Sequence, residues 1–313
     1  MPMPPRVSIC IPTYEPNEEH LRAALDSLFA QTEREWTALI HDDASAKDVR
    51  AIVEPYLEND RISLVRSPKR LGIGGNWNAC LKVASAPFVQ YLFQDDTWEP
   101  DYLANALEVI EADENIGMVA TDHEYNFEGE ISNKDDYLSV VTKRKEIASG
   151  KHNGPEFLKQ WIENGLHPNL IGEPTYVLLR KDLIGRFMID MPQFLDVEMW
   201  TRMLQSADWY KITENGGAFR VHPGGASTKN NESGEGIYDR FRCLEKLTKV
   251  HGEIGATAKT ARNSVIEEMV GKFFKRVKNK KSIPTKGSGS LKKFCLMHPL
   301  LILKAIWKHR KSA

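Results

Sequence analysis

The chain has 313 residues, of which 41% are hydrophobic and 27% charged, and its formal net charge is -1. That composition fits a soluble globular protein with one large domain and an accessory part, and it excludes a disordered or membrane-spanning chain. The near-neutral total hides a split: all 43 acidic residues lie at or before Glu268, whereas 13 of the 42 Lys and Arg fall between Gly271 and Ala313, so the first 270 residues carry -14 and the tail +13. An acidic body repels phosphate backbones, which argues against a nucleic-acid partner, while a basic tail seeks an anionic one.

Taken in order, strand-like and helix-like pieces alternate. Val7 to Ile11 reads as a strand, and Asn17 caps a helix to about Gln31 with Leu21, Leu25, Leu28 and Phe29 on one face. Trp36 to Ile40 reads as a second strand, followed by a helix from Ala46 to Leu57, a strand at Ile62 to Val65, and a Gly72 to Gly75 turn opening a helix through Asn78, Leu81 and Val83. Phe88 to Phe93 is the next strand. Pro100 then fits a first helical position, with Leu103, Leu107 and Ile110 as the apolar stripe, and Ile116 to Thr121 is a fifth strand. Units of this spacing predict a doubly wound, mostly parallel α/β sheet covered by helices.

From Asp122 to Lys151 the periodicity fades, which predicts an insertion or long loop. A helix is expected over Gly154 to Asn164, a strand over Glu173 to Arg180, a helix over Asp196 to Leu204 and a strand over Trp209 to Ile212. Tyr238 to Val270 reads as mainly helical, and the Pro, Gly and Ser of Ser282 to Ser290 as a linker. Cys10, Cys80, Cys243 and Cys295 are scattered without a C-x-x-C pair, so neither a zinc knuckle nor a disulfide framework is expected, and reduced cytosolic thiols are. The N-terminal MPMPPRVSICIP is too weakly apolar for a signal peptide, and no segment reaches the roughly 20 apolar residues that cross a bilayer.

The organising stretch is FVQYLFQDDTWEPD, Phe88 to Asp101, where an apolar run stops at Asp95 and Asp96. In open α/β sheets ligands collect at the carboxyl ends of strands, so paired acids there are candidates to hold a divalent cation against phosphate oxygens. The same residues also serve as turns and helix caps. Thr13 to Glu15, Asp42 and Asp43, and Gly72 to Asn76 follow neighbouring strands and converge on the same edge. The Gly72-x-Gly74-Gly75 turn is not a GxGxxG fingerprint, which removes the main support for a dinucleotide-binding oxidoreductase.

Together the blocks SICIPTYEP, ALIHDDAS, RLGIGGNWNACLKVA, VQYLFQDDTWEPDYL, NLIGEPTYVLLRKDL, LDVEMWTRML and FRVHPGGAS resemble the inverting family 2 glycosyltransferases of GT-A fold, from Val7 to Ser227. The resemblance implies a Rossmann-like nucleotide-sugar half, residues 1–121, fused to an acceptor half, residues 122–235. Helices over 236–281 and a linker with a basic tail over 282–313 would follow. By the same resemblance Thr13, Tyr14, Asp42 and Asp43 hold the base and ribose of a nucleotide-diphosphate sugar, and Arg70 and Asn76 complete that pocket. Gln94-Asp95-Asp96 stands where Asp-x-Asp is commoner, which implies Mg²⁺ or Mn²⁺ held by Asp95 and Asp96, with Asp96 as the direct ligand. His222 would reach the diphosphate or metal, Arg220 would pair with phosphate, and Glu173-Pro174 would line the acceptor site.

The chemistry needs these residue types. A cation held by carboxylates neutralises charge on a departing diphosphate, and a carboxylate on the opposite face takes the proton of the incoming hydroxyl. Asp196, heading Asp196-Val197-Glu198-Met199-Trp200, matches that base by resemblance; as a bare residue it is a helix N-cap. Trp77, Trp98, Trp161 and Trp200 are candidates to stack on sugars, although Trp at strand and helix spacing is usually core.

The leading reading is a sugar transferase acting on a glycan or lipid-linked acceptor. A nucleotidyltransferase would want a Gly-rich basic loop after the first strand, which Thr13-Tyr14-Glu15-Pro16 lacks, and a non-catalytic sugar-nucleotide module has no use for Asp196 and Asp96. Leu291 to Ala313 interleaves Leu300, Leu303, Ile306 and Trp307 with Lys304, Lys308, Arg310 and Lys311, a pattern suited to a helix lying in an anionic membrane surface. The acidic body is the competing anionic partner. The expected location is cytoplasmic, peripheral on the cytoplasmic face of the membrane.

Overall fold

The computed structural model describes residues 4–131, 134–191, 193–225, 235–278 and 298–311. The chain divides into two compact units, one of residues 1–155, 168–190 and 195–222, the other of residues 156–167, 191–194 and 223–313.

The first unit is built on one nine-stranded sheet. Strands β1 (Val7–Thr13), β2 (Trp36–Asp42), β3 (Ile62–Arg66), β4 (Phe88–Tyr91), β5 (Thr97–Trp98), β6 (Ile116–Phe127), β7 (Gly150–His152), β8 (Val177–Arg180) and β9 (Asp208–Val221) run β3-β2-β1-β4-β8-β6-β9-β5, with β7 on β9. The long ladders are parallel, β3 with β2, β2 with β1, β1 with β4 and β6 with β9. Short antiparallel ladders join β8 to β4 and β6 and place β5 and β7 against β9. The sheet is therefore mostly parallel, as the alternating pattern predicts.

Period-two alternation sorts β1 between two layers. Val7, Ile9 and Ile11 enter a core with Leu21, Leu25 and Leu28 of α1 (Glu18–Phe29) and Leu103, Leu107 and Ile110 of α4 (Tyr102–Ala112). Cys10 faces the other way, toward buried Cys80 of α3 (Ile73–Val83). Burial raises the Cys80 thiol well above its ordinary value, and contact with Cys10 adds to it. Asn17 caps α1 by accepting from the His20 N–H.

Several expected boundaries move. The helix after β2 is shorter, α2 (Val49–Val53) and then a 3₁₀ turn over Glu54–Tyr56. β4 stops at Tyr91, two residues before Phe93, and α4 starts at Tyr102 behind Asp101 rather than at Pro100. Glu173 to Arg180 divides into a 3₁₀ turn at Pro174–Tyr176 and β8, because Pro174 cannot donate to a ladder. The largest correction concerns 122–151, which is not a loop. β6 continues to Phe127, α5 (Lys134–Lys145) follows, and β7 closes the segment. Likewise β9 is 14 residues long, running past the expected Trp209 to Ile212 to Val221, and it carries Arg220. α6 (Gly154–Glu163) and α7 (Leu195–Met203) complete the series.

In the second unit helices Glu235–Leu247 and Glu253–Lys278 share an Arg262 to Glu245 ion pair of 2.8 Å, and Tyr238, Phe241, Leu244, Val265 and Ile266 are buried. Helix Pro299–Lys311 packs along Glu253–Lys278. The linker at 282–290 and the first residues of the tail lie outside the described residues.

Candidate active site

Parallel pairing of β2, β1 and β4 brings their carboxyl ends side by side, and side chains lock the loops that follow. Asp43 N–H donates to the Thr13 carbonyl at 2.8 Å, and Asn76 Nδ2 reaches the same oxygen at 3.2 Å while its Oδ1 pairs with His41 Nδ1 at 2.6 Å. Thr13 itself is the last residue of β1 and fully buried. Asp43 accepts from the Leu71 and Gly72 N–H groups at 2.6 and 2.9 Å, which fixes the turn into α3. Gly72 holds φ at +77°, a left-handed conformation suited to glycine. Asp42 is 1% exposed and accepts from Ser45 and from Arg66 at 2.9 Å. Asp42, Asp43 and Asn76 therefore shape the rim of this edge through bonds within the protein. Over that rim the Arg70 guanidinium stacks on the Tyr14 ring, 4.1 Å from its centre.

Gln94 joins this group to the next. Its Oε1 accepts from the Tyr14 N–H at 2.8 Å and its Nε2 donates to the Tyr14 carbonyl at 3.2 Å. Sequence reasoning treats Gln94 only as a departure from Asp-x-Asp; its bond to the loop after β1 has no local signal.

The two acids after Gln94 have opposite environments. Asp96 is 0% exposed, with Oδ2 accepting from the Thr175 hydroxyl at 2.6 Å and Oδ1 from the Arg220 N–H at 3.0 Å. Burial, and then the charge of Asp95, raise its pKa well above the ordinary carboxylate range. Asp95 is part-exposed and its Oδ2 lies 3.3 Å from His222 Nε2, and this bond raises the pKa of the imidazole against its partial burial. Each oxygen of Asp96, the expected direct ligand, thus accepts one hydrogen bond from the protein. Arg220 Nε donates to the Asp95 carbonyl at 3.0 Å and its guanidinium pairs with Glu128, which also meets His20 at 3.2 Å.

Among the described residues no group of three or more His, Cys, Asp and Glu is disposed to hold a metal. Asp95 and His222 nonetheless offer one oxygen and one nitrogen donor side by side at the part-exposed edge, which fits a cation that takes its other ligands from phosphate and water.

Asp196 lies in the first turn of α7, behind Leu195, so it is inside the helix rather than its cap. Its Oδ2 accepts from Asn169 Nδ2 at 2.9 Å. Desolvation raises its pKa to about 7, helped by the negative charge of Glu173, while its hydrogen bond from the Val197 N–H acts the other way. Such a value suits a group that accepts a proton near neutral pH.

Glu173 is the centre of a cluster that the sequence does not announce. Its Oε2 lies 2.7 Å from His123 Nε2 and 3.2 Å from Arg144 Nη1, and its Oε1 accepts from the Tyr125 hydroxyl at 2.7 Å. Burial raises its pKa, but the charges and hydrogen bonds of His123, Arg144 and Tyr125 prevail and hold it at about 2. Of the tryptophans, Trp98, Trp161 and Trp200 are core, and Trp77 stacks on Phe93 with ring centres 4.9 Å apart. A cavity of about 340 Å³ lined by Glu99, Asp101, Tyr102, Thr121 and Asn215 involves none of the sequence-predicted site residues.

Residues 8–169 match the model of "Glycosyl transferase family 2". The chain belongs to glycosyl transferase family 2. Its relatives include the uncharacterized protein MT1568 of Mycobacterium tuberculosis, 34% identical over 211 residues, which are 66% of this chain and 64% of the relative. Escherichia coli WfgD, a UDP-Glc:alpha-D-GlcNAc-diphosphoundecaprenol beta-1,3-glucosyltransferase, is 36% identical over 33% of this chain and 38% of its own. The family 2 chain thus spans less than two thirds of either relative. Staphylococcus aureus TarS 1-349 in complex with UDP-GlcNAc superposes with a TM-score of 0.65 at 16% identity over 96% of this chain and 79% of that one. Mannosyltransferase PcManGT of Pyrobaculum calidifontis, in complex with GDP-Man and Mn²⁺, gives 0.58 at 16% identity over 98% and 87%. The fold is the GT-A glycosyltransferase fold.

Proposed function

We propose that this family 2 chain moves a sugar from a nucleoside-diphosphate donor to a hydroxyl of a glycan or lipid-linked saccharide, with inversion and with Asp196 as general base. The observation that carries the reading is the pairing, at the carboxyl edge of the sheet, of the Tyr14 and Arg70 stack with the Asp95 and His222 pair, and Asp196 of α7, raised to about 7, supports it. Tyr14 and Arg70 offer a flat cationic face to the nucleobase and ribose, within a rim set by Thr13, Asp42, Asp43 and Asn76. Asp95 and His222 would hold Mg²⁺ or Mn²⁺, which when bound neutralises charge on the leaving diphosphate. Arg220, from the end of β9, adds a cation beside Asp95, and Asp96 supports both by fixing the Arg220 backbone. Asp196 takes the proton of the acceptor hydroxyl, a role worth about 10²- to 10⁴-fold in rate.

The donors in the TarS and PcManGT complexes, UDP-GlcNAc and GDP-Man, and the lipid-linked acceptor in the WfgD name support the substrate classes. Location follows from the tail. Among the described residues no helix is long and apolar enough to cross a membrane. In helix Pro299–Lys311 the spacing of Leu300, Leu303 and Trp307 puts them on one face, at 80%, 61% and 61% exposure. We place that face in an anionic membrane surface, beside a lipid-linked acceptor.

The test is a screen of UDP- and GDP-sugars for release of nucleoside diphosphate, with saccharide acceptors, with and without Mn²⁺ or Mg²⁺. Metal-stimulated release with sugar transfer supports the reading. Binding without release makes the chain a sugar-nucleotide module, and release of pyrophosphate from a nucleoside triphosphate makes it a nucleotidyltransferase.

A further inference from the structure

Asp196 has one side-chain partner whose orientation the surroundings determine. The Gly172 N–H donates to Asn169 Oδ1 at 3.1 Å, which assigns the oxygen of this amide to the Gly172 side. Asn169 Nδ2 then has two protons and two acceptors, the Gly172 carbonyl at 3.0 Å and Asp196 Oδ2 at 2.9 Å. Trp200, one turn along α7 from Asp196, closes the same loop by donating from Nε1 to the Gly172 carbonyl at 3.1 Å.

We propose that Asn169 is a positioning residue for Asp196: its amide donates to Oδ2 and holds the carboxylate in the orientation in which it receives the acceptor's proton. The inference rests on Asp196 being the general base. An amide N–H bonded to a carboxylate favours the ionised form, the form that accepts a proton, and it holds the carboxylate plane in one orientation. The other charges near Asp196 are Glu173, which disfavours ionisation, and Glu198 of the same helix, which is paired with Arg202 at 3.0 Å. Gly172 makes the loop possible. Its φ is +129°, and a Cβ there would stand 2.8 Å from the Arg144 guanidinium, so the backbone that Asn169 grips is itself wedged by a cation bound to Glu173.

The experiment needs no substrate. Protein labelled with ¹³C at the aspartate carboxyls is titrated by NMR, and the Asp196 signal is assigned as the one absent in Asp196→Asn. In Asn169→Ala its midpoint rises by about one pH unit, the weight of one charge-assisted hydrogen bond. Asn169→Asp keeps an acceptor for the Gly172 N–H but faces Asp196 with a second carboxylate, so its midpoint rises at least as far. An unchanged midpoint in both variants overturns the proposal, whatever their melting temperatures. Once the screen identifies a donor and acceptor, kcat of Asn169→Ala falls with the donor KM unchanged and recovers toward wild type at higher pH. Full turnover by Asp196→Asn removes the general base and this inference with it, whereas an inactive Asp196→Asn beside an unmoved Asn169→Ala profile removes this inference alone.

Discussion

Asp96 accepts a 2.6 Å hydrogen bond from the Thr175 hydroxyl in the buried interior, while its neighbour Asp95 points to the part-exposed edge and His222. The two acids follow one another in the turn closed by the Asp96 N–H to the Phe93 carbonyl at 3.3 Å, so a single turn supplies one acid to the scaffold and one to the site. Asp96→Ala would leave the Thr175 hydroxyl and the Arg220 N–H without an acceptor. A loss of about 1–3 kcal/mol in urea unfolding is expected. Asp95→Ala should leave that midpoint within about 0.5 kcal/mol and abolish Mn²⁺ binding read by electron paramagnetic resonance. Unaltered Mn²⁺ binding by Asp95→Ala and His222→Ala would remove these two as the cation's ligands.

Asp196 gives a pH dependence of known sign. Its folded pKa of about 7 exceeds the ordinary 3.8, so between those values the folded state holds the extra proton and stability falls as pH rises, levelling above 7. Asp196→Asn lacks this loss. Its melting temperature should match wild type near pH 4 and exceed it at pH 8, by at most about 4 kcal/mol of unfolding free energy at 1.36 kcal/mol per pH unit. Turnover should fall by about 10² or more. A melting temperature below wild type at pH 8 would contradict the first statement, and full turnover the second.

Glu173 works in the opposite direction. Held at about 2 against an ordinary 4.5, it stabilises the fold above pH 4.5, and that contribution is lost as pH falls toward 2. Arg144→Met removes the cation that neutralises it and leaves a buried carboxylate with only His123 and Tyr125. A loss of about 3–5 kcal/mol at pH 7 is expected from chemical denaturation. A loss below about 1 kcal/mol would mean that His123 is protonated and suffices.

The tail is checked by cosedimentation with vesicles containing anionic lipid, the full chain against one ending at Ser290. Only the full chain should pellet, less so at high salt, since each Lys or Arg near such a surface contributes roughly 1 kcal/mol. Equal binding by both, or none by either at low salt, removes the membrane surface as partner.

Apolar periodicity made the parallel half of the sheet legible. Val7, Ile9 and Ile11, Trp36, Ala38 and Ile40, and Phe88 to Tyr91 are buried in the register their spacing implies, and the loops carrying Tyr14, Asp43 and Asp95 meet at one edge because parallel strands leave them no alternative. The segment 122–151 misled because its inward positions are polar. The part of β6 beyond Thr121 presents buried His123 at the place of an aliphatic residue, and α5 is held by buried Arg144, so neither that extension nor α5 shows an apolar stripe. The contacts of Asn169 with Asp196 and of Gln94 with Tyr14 join residues 27 and 80 positions apart, and an amide side chain carries no sign of its distant partner.

Gln94 satisfies both peptide groups of Tyr14 before any nucleotide arrives. The loop after β1 is thereby ordered at the cost of folding, and a donor that settles on it gives up little further chain entropy. Calorimetry of nucleotide binding should therefore return a heat-capacity change proportional to the small surface of the ligand, and Gln94→Ala should enlarge it as loop closure becomes coupled to binding.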